Sequence, residues 1–261
     1  MKLVKPSHVI YWRDSMKERG KSPETIRVRL AALSSLFKYL CTNGTVDGNP
    51  VVGIKRDPTP NIGKTPPISD QQVLALLEAP DTGTLKGKRD KAIIATLYYH
   101  FHRRDSICRL KVKDIQQLAG IPHFMFHAKG GKVVPVLIKP VALRLIHEYL
   151  ESSGHRDDPN APLFKPVINN RTKILDKHLD GKTIWQIVKK YAKQTGLLND
   201  VPGFTTHSSR VTSVTKARKN KQETEKIMKD AGMSSYSTFQ RYARISFEPE
   251  DSTVNAVDYQ K

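Results

Sequence analysis

The chain has 261 residues, of which 38% are hydrophobic, enough for two packed cores beneath a polar surface. Its 44 Lys and Arg against 25 Asp and Glu give a formal charge of +19, spread along the chain rather than gathered in a tail, and such a field attracts polyanions, nucleic acid first among them. Two cysteines, Cys41 and Cys108, without CxxC spacing exclude a disulfide scaffold, and no apolar run is long enough to cross a bilayer, so the expected compartment is the cytoplasm.

Ser7 after Pro6 predicts a capped helix through Arg19, stopped by Gly20. Ser22-Pro23 predicts a second, because proline at the first helical position gives up only an orphan N–H. Ile26, Leu30, Leu33, Phe37 and Leu40 recur at three- and four-residue steps, with Arg27, Arg29 and Lys38 off the stripe. Asn49-Pro50 breaks the pattern, and the proline-rich, aperiodic stretch to Pro67 reads as a linker. The expected organisation is therefore a small helical domain over residues 1–56, a linker over 57–67 and a larger domain over 68–261. Ser69-Asp70-Gln71-Gln72 is a capping box that opens the second domain, followed by a helical stretch from Arg89 to Phe101. Phe124 to His127 and Val133 to Leu137 flank Lys129-Gly130-Gly131-Lys132, the pattern of a β-hairpin with lysines on both sides of its turn. Helices are predicted at Val141–Glu151, Thr183–Gln194, His207–Arg218 and Gln222–Ala231. The polar stretch from Ser152 to Lys182 reads as a surface excursion anchored at Leu163-Phe164. The expected fold class is mainly α, with a mixed α/β but mostly helical second domain.

His207-Ser208-Ser209-Arg210 falls at a helix start, with Thr206 as the expected cap. An imidazole and a guanidinium at i and i+3 then share one face near free backbone N–H groups, a plausible phosphate seat. Alone this is weak, since His100 to Arg103 has the same spacing. The ordered combination is more specific. Arg103, the run ending Leu110-Lys-Val-Lys-Asp114-Ile115, Lys129, His207-x-x-Arg210 and Ala231-Gly-Met-Ser-Ser-Tyr-Ser-Thr-Phe-Gln-Arg-Tyr242 together resemble the tyrosine recombinase (phage integrase) family. The likeness extends over nearly the whole chain, because the Ser22-Pro23 helix, Asn49-Pro50 and the linker are similar to that family's core-binding domain, which usually has more helices, so an initial helix is expected to be missing, by divergence or because the chain is a fragment.

The resemblance implies a DNA strand transferase working through a 3′-phosphotyrosine at Tyr242. Arg103 and Arg210 would clamp the phosphate with planar forks that cannot lose their charge. Lys129 would protonate the leaving oxygen and His207 would assist proton transfer. Met233 falls at a further family position, and Arg27, Arg29, Lys38 and Lys132 are candidate DNA contacts. Two guanidiniums supply the charge that a metal gives elsewhere, so neither metal nor cofactor is expected. The expected partners are double-stranded DNA and further copies of the chain, as a tetramer on paired sites. Three positions depart from the family pattern: Phe101 replaces a glycine, Ser106 an acidic residue with Asp105 one step out of register, and Met233 a histidine or tryptophan, although a thioether has no hydrogen to donate. These departures leave two rival readings, a noncatalytic DNA-binding protein that keeps the fold and a type IB topoisomerase-like enzyme. His100, His102, His123 and His127 have no acidic or cysteine partners at ligand spacing. Tyr98 and Tyr99 read as helix packing, and Tyr236 and Tyr259 as less suited nucleophiles than Tyr242.

Overall fold

The computed structural model describes residues 4–58, 63–127, 131, 133–168 and 174–243. It divides into two compact units, Met1–Asn61 and Ile62–Lys261.

The first unit is a helical pair, α1 (Pro6–Glu18) and α2 (Pro23–Thr42). Ser7 is inside α1 rather than its cap. Lys5 takes the cap position and its backbone N–H donates to His8 Nδ1 at 3.2 Å, so the helix opens two residues earlier than a cap at Ser7 would allow. Ser22 does cap α2, accepting from Thr25 N–H at 3.3 Å, and the buried stripe Ile26, Leu30 and Phe37 packs with Val9, Met16 and Val51. Asn49 ties the following turn to α2 by donating to the Ser34 carbonyl at 3.1 Å.

The second unit opens on the expected capping box, with Ser69 N–H donating to Gln72 Oε1 at 2.9 Å and Gln72 N–H to Ser69 Oγ at 3.2 Å, at the head of α3 (Asp70–Glu78). α4 (Leu85–Tyr99) begins a turn earlier than its apolar run, because Thr84 Oγ1 accepts from Gly87 N–H at 3.0 Å. α4 is the axis of the main core: Ala92, Ile93, Ile94, Ala95 and Leu97 are wholly buried. The short α5 (Arg104–Cys108) and a single 3-10 turn, Val112–Asp114, lead into an antiparallel meander of β1 (Ile115–Leu118), β2 (Ile121–His127) and β3 (Val133–Leu137). Pairing of Phe124 with Val136 and His127 with Val133 sets the hairpin register, and Phe124, Phe126 and Val136 face the core. Pro135 is tolerated because β3 is an edge strand.

α6 (Pro140–Ser153) packs along α4 and ends at Gly154, whose φ of 68° closes the helix in the left-handed region. The stretch between α6 and α7 (Gly181–Gln194) is less superficial than its composition suggests. Residues 161–165 are buried, held by Leu163 N–H donating to the Leu110 carbonyl at 2.8 Å and by Val112 N–H donating to the Ala161 carbonyl at 3.0 Å. After α8 (Leu197–Asp200) the chain forms α9 (His207–Lys219), α10 (Thr224–Asp230) and α11 (Tyr236–Tyr242). These last three helices enclose a second, smaller cluster of Val211, Val214, Ile227, Ala231, Met233, Phe239 and Tyr242, with Phe101 packed on it.

Candidate active site

α9 is an unusual interior helix, because its buried positions include Ser208, Ser209, Arg210, Thr212, Ser213 and Thr215. Small hydroxyls suit it to a narrow wedge, and each finds a backbone partner: Ser213 Oγ donates to the Tyr98 carbonyl at 2.6 Å and Thr215 Oγ1 to the Tyr242 carbonyl at 3.1 Å. The second of these bonds fixes the end of α11. Thr206 holds the N-cap position but makes no side-chain cap. Thr205 does so instead, its Oγ1 accepting from His207 N–H at 3.1 Å while its own N–H donates to Ser208 Oγ at 3.1 Å. The cap is thus one residue earlier than expected, because Thr206 is already in helical conformation.

Arg210 is 1% exposed. A buried guanidinium requires acceptors, and two main-chain carbonyls supply them: Nη1 donates to Phe101 O at 2.5 Å and Nη2 to Ala231 O at 2.7 Å. Its Nε, also buried, has no partner among the described residues. Burial lowers the Arg210 pKa, Tyr242 opposes that effect, and Arg103 adds to it. The group remains cationic at neutral pH.

The Phe101 carbonyl reaches Arg210 because Phe101 has φ of 49°, the left-handed region that L side chains avoid at a cost of about 1–2 kcal/mol. That conformation gives physical content to the departure from glycine at this position. The strain is offset by the packing of the Phe101 ring on the cluster that contains Tyr242.

Tyr242 is 8% exposed, the last residue of α11, and belongs to that cluster with Met233 and Phe239. Arg210 Cζ lies 4.8 Å from the centre of its ring, and the His207 ring centre lies 5.0 Å away. His207 is exposed at the cleft mouth. Partial desolvation, then the charges of Arg210 and Arg103, push its pKa below the usual histidine range, so it is neutral at pH 7.

His102, Arg103, Arg104, Asp105, Thr205, Thr206, His207 and Arg210 line one cleft of about 280 Å³. Arg103 stands exposed at the head of α5, with no hydrogen-bond or ion-pair partner among the described residues, whereas Arg104 Nε is paired with Asp105 at 3.0 Å. The displaced acid therefore neutralises Arg104 and leaves Arg103 as the open cation. Ser106 makes no side-chain bond among the described residues and only continues α5. The structure thus gathers Arg103, His207, Arg210, Met233 and Tyr242 into one neighbourhood. Lys129 and Lys132 lie outside the described residues. In the first unit Arg27 and Lys38 fall three turns apart on one side of α2, whereas Arg29 is on the opposite flank of the buried stripe, its Nη1 3.6 Å from Met16 Sδ. Tyr98 is buried in α4, and Tyr236 is exposed. No cluster of metal-ligating residues occurs among the described residues, and no described helix is long and apolar enough to cross a membrane.

His102, Thr205 and the Phe101 and Ala231 carbonyls are parts of the site that spacing did not reveal. Carbonyls carry no side-chain signature, and a lone histidine in a chain with nine has little weight.

A family model described as "Phage integrase family" matches residues 67–248. The tyrosine recombinase XerD of Listeria innocua is 27% identical over 235 residues, covering 88% of this chain and 74% of that protein. Among solved structures, XerH bound to a palindromic difH substrate in a post-cleavage complex aligns with a TM-score of 0.70 at 17% identity, covering 93% of this chain and 69% of that one. A lambda integrase tetramer bound to a Holliday junction aligns with a TM-score of 0.66 at 14% identity, covering 94% and 67%. The chain belongs to the phage integrase family, and is a site-specific tyrosine recombinase acting on DNA.

Proposed function

We propose that Tyr242 is the nucleophile and that Arg103 and Arg210 hold the phosphodiester it attacks. One observation carries this reading: a guanidinium fixed by two main-chain carbonyls lies 4.8 Å from the phenol ring, on a cleft whose open cation is Arg103. In the first step Tyr242 Oη bonds to phosphorus and the bond to the 5′ oxygen breaks, leaving a 3′-phosphotyrosine and a free 5′-hydroxyl. The tyrosine proton passes to neutral His207, and Lys129 returns a proton to the departing oxygen. In the reverse sense a 5′-hydroxyl attacks the phosphotyrosine, so strands are exchanged without loss of a high-energy bond. The arginines stabilise the charge that develops on the nonbridging oxygens, and no metal or cofactor is needed for that task.

Residues 1–56 serve in this reading as a core-binding domain, with Arg27, Arg29 and Lys38 contacting DNA backbone, and residues 57–67 as its linker to a catalytic domain over 68–261. Lys132 joins Lys129 beside the same strand. The lambda integrase tetramer on a Holliday junction supports a homotetramer on paired duplex sites. In this reading the chain works on its DNA in the cytoplasm.

Nicked suicide duplexes from a random-sequence pool provide the test. A denaturant-resistant adduct that is lost in Tyr242→Phe is the expected result, and sequencing the trapped DNA yields the site. Salt-sensitive binding without an adduct would establish a noncatalytic DNA-binding protein, and relaxation of supercoils without sequence preference a topoisomerase.

A further inference from the structure

Two histidines two residues apart differ in one respect. His100 has both ring nitrogens engaged, Nδ1 with the Thr96 carbonyl at 3.1 Å and Nε2 accepting from Lys139 N–H at 3.1 Å, and its edge rests on Phe124. It is a satisfied core histidine. His102 is 6% exposed and its ring lies flat on Phe126, centres 3.5 Å apart and planes at 19°. Yet its Nε2 has no hydrogen-bond partner among the described residues. An unmet buried polar group carries a desolvation cost that a leucine on the same phenylalanine would avoid.

His102 shares its cleft with Arg103, His207 and Arg210, and the Arg210 Nε is the other buried nitrogen in that wall without a partner. Two buried nitrogens without partners on one cleft, each able to carry a hydrogen, suit one anion with several oxygens. A half-turn about the Cβ–Cγ bond exchanges the two edges of the imidazole and leaves its plane on Phe126, so either edge can be turned to the cleft that His102 lines without loss of the stack.

We propose that His102 is a phosphate-contacting residue of this enzyme, its neutral imidazole donating one hydrogen bond to a nonbridging oxygen of the scissile phosphodiester. The inference rests on the reading of the cleft as the phosphate seat. Burial, followed by the charges of Arg210, His100 and Arg103, lowers the His102 pKa to about 3. The ring therefore stays neutral across the working range, and it contributes a hydrogen bond rather than a proton. It differs in this from His207, which has room at the cleft mouth to take one up.

The test compares single-turnover adduct formation by the wild type, His102→Phe and His102→Gln on suicide duplexes bearing either an ordinary phosphate or one of the two methylphosphonate diastereomers at the scissile position. Phenylalanine keeps the stack on Phe126, and glutamine restores an N–H donor. On the ordinary phosphate His102→Phe is expected to slow adduct formation about ten- to hundredfold with duplex binding unchanged, and His102→Gln to recover most of the loss. On the diastereomer whose methyl replaces the contacted oxygen, wild type and His102→Phe should agree within about threefold. An equal deficit on all three substrates would show a structural role, and a His102→Phe rate matching wild type on the ordinary phosphate would show no role; either overturns the proposal while leaving Tyr242 as nucleophile. No adduct from the wild type on any substrate overturns the site reading and this inference with it.

Discussion

The second unit contains two hydrophobic clusters that differ in kind. The larger, built on α4, the sheet, α6 and α7, is closed by aliphatic and aromatic side chains, many wholly buried. The smaller, under α9, α10 and α11, has seven buried members, one of which is Tyr242, and a guanidinium along its edge. The large cluster holds the backbone that presents Arg103 and the hairpin. In the small one the proposed nucleophile is itself a member of the packing.

The sharpest test of this difference is Tyr242→Phe, which keeps the ring in the small cluster and removes only the oxygen of the proposed nucleophile. Adduct formation should vanish while the urea midpoint shifts by less than about 1 kcal/mol equivalent. Leu97→Ala, at a wholly buried position of the large cluster, should do the reverse. It is expected to destabilise by about 2–5 kcal/mol with the adduct rate per folded molecule unchanged. A loss of intrinsic rate in Leu97→Ala would break the distinction between the two clusters.

Phe101 spans both roles and gives a finer reading. Replacement by alanine removes the ring but leaves a side chain at φ of 49°, whereas glycine removes ring and strain together. Chemical denaturation should find both variants less stable than wild type, with Phe101→Gly above Phe101→Ala by about 1 kcal/mol, the inverse of the order at ordinary positions. Equal stabilities would show that the backbone relaxes around residue 101.

Near neutrality the smallest expected effect is that of pH. His100 and His102 have folded pKa values near about 4 and about 3, below the ordinary 6.5. For a base depressed in the fold, the unfolded chain takes up the proton first, so the stabilisation is present above pH 6.5 and is lost as pH falls toward 4 and then 3. Each histidine contributes at most about 1.4 kcal/mol per pH unit in that window. The urea midpoint should fall with acidification, and His102→Phe should show a shallower slope than wild type.

Much of this organisation is legible in the sequence where one local rule governs it. Ser22-Pro23 and Ser69 to Gln72 state their helix starts outright, and the Gly-Gly tip states its hairpin, because capping and turn geometry depend on adjacent residues. Boundaries slipped where a cap came from an unexpected type, as at Lys5, or lay a turn beyond the apolar run, as at Thr84. β1 and α11 were not foreseen. β1 gains its place by pairing with β2, and α11 by burying Phe239 and Tyr242 against α9, neither of which short-range periodicity contains. The ordered motifs did bring Arg103, His207, Arg210 and Tyr242 to one neighbourhood. They gave no hint that Arg210 is held by main-chain carbonyls, because any residue at 101 and 231 has a carbonyl to offer.

Those two carbonyls have a consequence for the order of assembly. Residue 101 closes α4, residue 210 is in the first turn of α9, and residue 231 follows α10, so Arg210 joins three stretches of chain made at widely different times during synthesis. Until the stretch around Ala231 has docked, the guanidinium lacks one of its two acceptors and is free to swing. A nascent chain therefore has no aligned cation beside the Tyr242 phenol until the last helices close.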